Sequence, residues 1–221
     1  GKDPKRDFHW NDEWLIKACN ATLVRGGMRH ANRNNLMTNH CKILFGECPT
    51  ELDDFIWQSQ FAQAEAMKTF VELFRSRKFT RFNGLIWWNV RDCWPIISDA
   101  VVDYYGGKKK AYYALRNVQG NQLVLLGDDH VAWAVNDRRY PVKGHAVYTD
   151  KATGRVLFEG DYTVPANGKT RLGNIPFSGQ GLIEIRYSAD GEVGFNHFLY
   201  GEPPFKWSDV QAWTRDSPLY K

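Results

Sequence analysis

Cysteine is scarce in this 221-residue chain: Cys19, Cys41, Cys48 and Cys93 are the only four, none two residues from another and none after position 93. That spacing excludes a zinc knuckle and a redox C-x-x-C motif, leaves any disulfide pairing open, and makes buried or half-buried thiols the expectation. Long apolar runs are also missing. Nothing approaches the ~20 residues that span a bilayer, so no membrane partner is expected. The opening GKDPKRDFHW is polar where a signal peptide needs an apolar stretch, and no export signal is read there. Charge of one sign is not in excess, with 29 basic against 25 acidic residues. The only dense basic run, Lys108 to Lys110, is too short for a nucleic-acid footprint. Repeats and low-complexity tracts are absent, as are a G-x-S-x-G nucleophile elbow and a phosphate-cradling glycine loop. His130, His145 and His197 lie far apart without ligand spacing, so neither a metal nor a cofactor is expected.

What is present is aromatic and apolar: 9 Trp, 10 Tyr and 13 Phe within a 43% hydrophobic composition, enough for a sizeable core. Length and a change of texture near Gln119 suggest two domains, 1–119 and 120–221. In the first, Thr50 with Asp53 three residues on reads as a helix start, and Arg75, Arg77 and Lys78 suit a helix C-terminus. Between them Leu52, Phe55, Ile56, Ala62, Ala66, Phe70, Leu73 and Phe74 recur at three- and four-residue steps. This predicts a long helix from about Thr50 to Arg77 with those residues on its packed face.

After Asn83-Gly84, the run Leu85 to Val90 is apolar at successive positions and predicts a strand covered on both faces, as in an α/β barrel. Asn89, Arg91 and Asp92 place polar groups at its far end, where barrel sites are built. A second helix is expected over Lys108 to Val118. Beyond it, seven short strands are predicted, at 122–126, 131–136, 146–149, 156–163, 170–175, 182–187 and 194–200, which points to an immunoglobulin-like sandwich. The fold class is therefore α+β: a partial (β/α)8 barrel segment of long helix, strand and helix, followed by a β-sandwich. In that sandwich Trp133 reads as a core residue, while Tyr148, Phe158, Tyr162 and Tyr187 are candidates for an exposed binding face.

The segments SQFAQAEAMK (59–68), GLIWWNVRDCWPIISDAVVDYYG (84–106) and KKKAYYALRNVQ (108–119) resemble the end of the catalytic barrel in glycoside hydrolase family 2, closest to its β-mannosidase-like branch. NHFLYGEPPF (196–205) is similar to the sandwich that follows the barrel there. The resemblance implies that the long helix is the seventh barrel helix, the double-Trp run the eighth strand, and 108–118 the eighth helix. It implies a retaining hydrolysis of terminal β-glycosides, a carbohydrate substrate, and a periplasmic or secreted parent.

Such chemistry needs two carboxyl groups about 5 to 5.5 Å apart, one as proton donor and one as nucleophile. Glu13 in NDEW and Glu47 in FGECP fit neither family pattern, so no catalytic residue is assigned and the isolated chain is expected to be inactive. The resemblance makes Trp88 the leading substrate-binding residue, since a tryptophan at that end of the eighth strand floors the sugar subsite in the family and a flat apolar ring suits the C–H face of a pyranose, a core ring between strand and helix being the alternative. Trp87, Asn89 and Asp92 join it as candidate contacts. A carbohydrate-binding or purely structural sandwich is the alternative reading, and self-association of the fragment is a further expectation, since barrel elements without neighbours leave open edges.

Overall fold

A computed structural model describes Trp14, Lys17 and residues 33–220. The element order is α1 (Arg33–Phe45), α2 (Leu52–Ser76), α3 (Lys110–Val118), then β1 (Gln122–Leu126), β2 (Val131–Asn136), β3 (Val142–Asp150), β4 (Val156–Val164), β5 (Lys169–Asn174), β6 (Gly181–Ala189) and β7 (Glu192–Tyr200). A last helix, α4 (Trp207–Thr214), and a 3-10 turn (Pro218–Tyr220) follow. The chain divides into two compact units, Gly1–Ala66 with Trp87–Tyr112 and Pro203–Lys206, and Met67–Ile86 with Tyr113–Glu202 and Trp207–Lys221.

In the first unit, α1 stops where Gly46 takes φ 88 and its N–H bonds the Lys42 carbonyl at 2.9 Å, a left-handed position that glycine adopts without a Cβ clash. The returning chain packs Cys48 and Leu52 against buried Cys41 and Phe55. Asp53 and Asp54 sit in the first turn of α2, where the helix dipole favours negative charge. Trp57 stacks on Phe61 with ring centroids 5.0 Å apart.

The second unit holds the sandwich. One sheet has the order β1-β2-β5 and the other β4-β3-β6-β7, every pairing antiparallel. Their inner faces close one core that includes Val124, Ala134, Tyr148, Ile175, Ile185 and Phe198. The Tyr148 hydroxyl donates across it to the Leu125 carbonyl at 3.0 Å. In the second sheet, tyrosine rings lie over glycines directly opposite in register, Tyr162 over Gly144 and Tyr187 over Gly194. Each ring occupies the space that a Cβ would take.

The α+β organisation, the two central helices and the seven strands follow the sequence reading. Five particulars differ, one being that Cys93 is exposed where a buried or half-buried thiol was expected, whereas Cys41 is buried and Cys48 half-buried. Leu85 to Val90 forms no strand: the chain bends at Trp88 and Val90, and the Asn89 and Val90 carbonyls accept from the Val101 and Val102 amides. A strand needs ladder partners, and a single short one-sided pairing supplies too few.

The packed face of α2 is only in part the one read from periodicity, from which Phe55 is buried and Leu52, Ala62 and Phe74 half-buried. Phe55, Gln58, Phe61, Ala64, Glu65, Lys68, Val71 and Glu72 are buried, while Ile56, Ala66, Phe70 and Leu73 are exposed. Trp133 is half-buried, its ring covered by the Lys169 ammonium at 4.7 Å, because its neighbours Ala132 and Ala134 take the inward positions. Finally, Tyr148, Tyr162 and Tyr187 are buried and Phe158 packs against the core, so these four make no exposed binding face.

Candidate functional site

The segment that carries the candidate contacts alternates in exposure: Trp87 and Asn89 are half-buried, whereas Trp88 is 76% exposed and Val90 62%. Exposure thus alternates along the segment, although it bends at Trp88 and Val90, and the Trp88 ring is open to solvent. The Trp88–Asn89 peptide bond is cis. Asn89 Oδ1 is buried without a hydrogen-bond partner. Arg91 donates to the Tyr104 carbonyl at 2.9 Å, and Tyr104 meets Tyr105 edge-on at 5.2 Å. Trp94 is partly exposed on the same loop.

Asp92 points the other way. It is only 7% exposed, its Oδ1 accepts from the Ser98 hydroxyl, and its Oδ2 lies 3.6 Å from Lys109 Nζ. Lys109 also donates to the Ser98 carbonyl at 3.0 Å. Burial pushes the Lys109 ammonium below its ordinary pKa, and the Asp92 carboxylate acts against that shift. Sequence reasoning missed Ser98 and Lys109 as partners of Asp92. Ser98 reads as a loop residue and Lys109 as one member of a basic run, and no local spacing links either to position 92. Glu47 is exposed in the turn after α1, and Glu13 lies outside the described residues.

The histidines do separate things. His130 stacks on Phe177 at 3.8 Å, His197 is buried with Nε2 3.3 Å from the Tyr220 hydroxyl, and His145 lies between Asp161 and Glu159. The second unit also has a cavity of about 500 Å³, with Phe74, Phe79 and Phe82 in its wall and Arg75, Lys78 and Asp137 among its polar lining. Its cations are already engaged: Arg75 with the Val118 and Gly120 carbonyls and Asp137, and Lys78 with Asp137 and Asn167. No helix among the described residues is long and apolar enough to cross a membrane.

No family model matches the chain. Over 99 residues it is 33% identical to β-mannosidase B of Aspergillus niger, and over 101 residues 34% identical to β-mannosidase B of Aspergillus terreus. In each case 42% of this chain and 11% of the relative are covered. The fold is shared with a β-D-mannosidase from Dictyoglomus thermophilum (TM-score 0.69, 22% identity, 80% of this chain and 23% of that one). It is shared equally with an exo-chitosanase from Amycolatopsis orientalis (TM-score 0.67, 18% identity, 86% and 24%). The chain thus resembles a C-terminal part of a glycoside hydrolase. More narrowly, it is similar to the family 2 enzymes of the β-mannosidase-like branch, and it matches about a tenth of the length of these curated relatives.

Proposed function

We propose that this chain is the C-terminal portion of a retaining glycoside hydrolase that cleaves terminal β-glycosides, of the β-mannoside or β-galactoside class, in carbohydrate catabolism. Residues 1–119 supply the end of the catalytic barrel and 120–221 the sandwich that follows it. Trp88 is the wall against which the reacting sugar stacks, flanked by Trp87 and Asn89, with Asp92 in the same site. The carrying observation is the 33% identity to β-mannosidase B over 99 residues. The outward, 76% exposed Trp88 ring supports the residue assignment, because a stacking platform must offer an open face. Both catalytic carboxylates belong to the upstream part of the longer polypeptide, so the isolated chain binds at most weakly and does not hydrolyse.

The supporting role of the sandwich has an observation of its own. Its β7 residue Asn196 holds Glu72 of α2 through a buried hydrogen bond, which suits a domain that braces a barrel helix. The test is expression of the 221-residue chain alone and joined to its upstream coding sequence, each assayed on nitrophenyl β-mannoside and β-galactoside. Activity with retention in the longer product and none in the chain alone is expected. Hydrolysis by the purified chain that disappears with Glu13→Gln or Glu47→Gln overturns the assignment.

A further inference from the structure

An exposed ring takes its position from its backbone, because packing does not hold it. In the first unit that backbone is tied down just after Trp88. The Val101 N–H donates to the Asn89 carbonyl at 3.2 Å, Val102 N–H to the Val90 carbonyl at 2.9 Å, and Asp92 N–H back to the Val102 carbonyl at 3.1 Å. The loop between Asp92 and Val102 must therefore close in one way for residues 88–92 to stay in place.

Side chains close it. The Ser98 hydroxyl donates to Asp92 Oδ1 and its oxygen accepts the Ala100 N–H at 2.9 Å. Lys109 Nζ bonds the Ser98 carbonyl and faces Asp92 Oδ2, while the Lys109 N–H donates to the Val101 carbonyl at 2.9 Å. From outside, Gln63 of α2 donates to the Asp99 carbonyl at 2.6 Å, and Arg33 of α1 pairs with the Asp99 carboxylate at 3.0 Å. Asp92 is nearly inaccessible: its Oδ1 accepts from Ser98, and its Oδ2, buried without a hydrogen bond, faces the Lys109 ammonium at 3.6 Å, so burial rather than saturation keeps it from a sugar hydroxyl.

Resting on the reading of Trp88 as a sugar platform, we propose that Asp92, Ser98 and Lys109 form a clamp that sets the position of Trp88, with Lys109 a positioning residue that acts through the backbone of residues 88–92. Lys109 joins the two sides of the loop at once, and the platform owes its height and tilt to that junction. This refines the role of Asp92 from a ligand contact to a member of the clamp.

The experiment labels the 221-residue chain with 5-fluorotryptophan and identifies the Trp88 fluorine line by its loss in Trp88→Phe. In Lys109→Met the Trp88 line narrows and moves toward that of unstructured fluorotryptophan, while the lines of Trp133, Trp207 and Trp213, outside the 87–102 segment, stay in place and report an intact fold. Lys109→Arg restores the original line, since it returns the cation. Ser98→Ala, which removes the hydroxyl's bonds to Asp92 Oδ1 and from the Ala100 N–H, moves the line in the same sense and carries the test should Lys109→Met fail to fold. A Trp88 line unchanged in a folded Lys109→Met or Ser98→Ala chain overturns the clamp. A line that follows Lys109, combined with a longer enzyme whose kinetics ignore Trp88→Ala, upholds the clamp and overturns the sugar-platform reading.

Discussion

Asn196 on β7 donates to Glu72 Oε1 on α2 at 2.6 Å across 124 positions of sequence, and Lys68 donates to the other carboxylate oxygen at 3.0 Å. The pair is almost fully buried, with side-chain exposures of 1% for Lys68 and 7% for Glu72. Such a contact contributes less net stability than its Coulomb energy suggests, because both charges lose water. It is strongly sensitive to the loss of one partner.

Lys68→Met is therefore expected to destabilise the chain by about 3 kcal/mol, since it takes the paired ammonium from the buried Glu72 carboxylate. The double change Lys68→Met with Glu72→Gln removes the stranded charge and should recover a large part of that loss. Urea unfolding of the two variants checks the order; equal stabilities would mean that the pair is not buried in solution.

The hydrogen bond to Asp161, and then that to Glu159, hold His145 above its ordinary pKa of 6.5. A raised folded-state pKa means stabilisation that is complete below the unfolded value and is lost as pH rises through the folded one. The difference in melting temperature between the native chain and His145→Gln should thus be largest near pH 5 and shrink above pH 6.5. The effect is small because the site is open to solvent. A difference that grows with pH would contradict the geometry.

Trp88→Ala should leave the stability of the isolated chain within about 0.5 kcal/mol of the original, because the ring is exposed. In the longer enzyme the same change should lower kcat/KM by roughly ten- to a hundred-fold, the equivalent of about 1–3 kcal/mol of lost ring contact. Melting curves beside steady-state kinetics separate this from a core role, in which stability would fall instead.

Gly144 sits beneath the Tyr162 ring and against the Ser188 carbonyl, so a Cβ there must displace backbone as well as side chain. Gly144→Ala should cost about 1–3 kcal/mol, the range for overpacking. Gly84→Ala is the control, for nothing lies within contact of a Cβ at that position. Equal melting temperatures for the two variants would refute the close approach of Tyr162.

Much of this molecule is legible in its sequence. The capping signals before Leu52 and the cations near Ser76 bracket α2 to within two residues, and the turn residues between short alternating runs place all seven strands. Those features depend on local chemistry: a cap, a dipole, or a glycine that permits a turn. The open Trp88 ring was not among them, since the apolar run Leu85 to Val90 predicts a strand covered on both faces whereas Trp88 is 76% exposed. The helices α1 and α4 escaped, since neither carries a clean apolar stripe; Leu36 and Ile43 of α1 are exposed.

Tertiary structure alone decided which strip of α2 is buried. Both strips hold apolar residues, and the one that packs is the one whose Lys68 and Glu72 find each other and Asn196, a partner no spacing along the chain reveals. It alone decided that Leu85 to Val90 is no strand, because a strand exists only where neighbours accept its hydrogen bonds. It alone turned Asp92 inward to Ser98 and Lys109. Periodicity records how much of a segment is apolar and at what interval, whereas the partner of a buried charge is set by elements that meet only when the chain has folded.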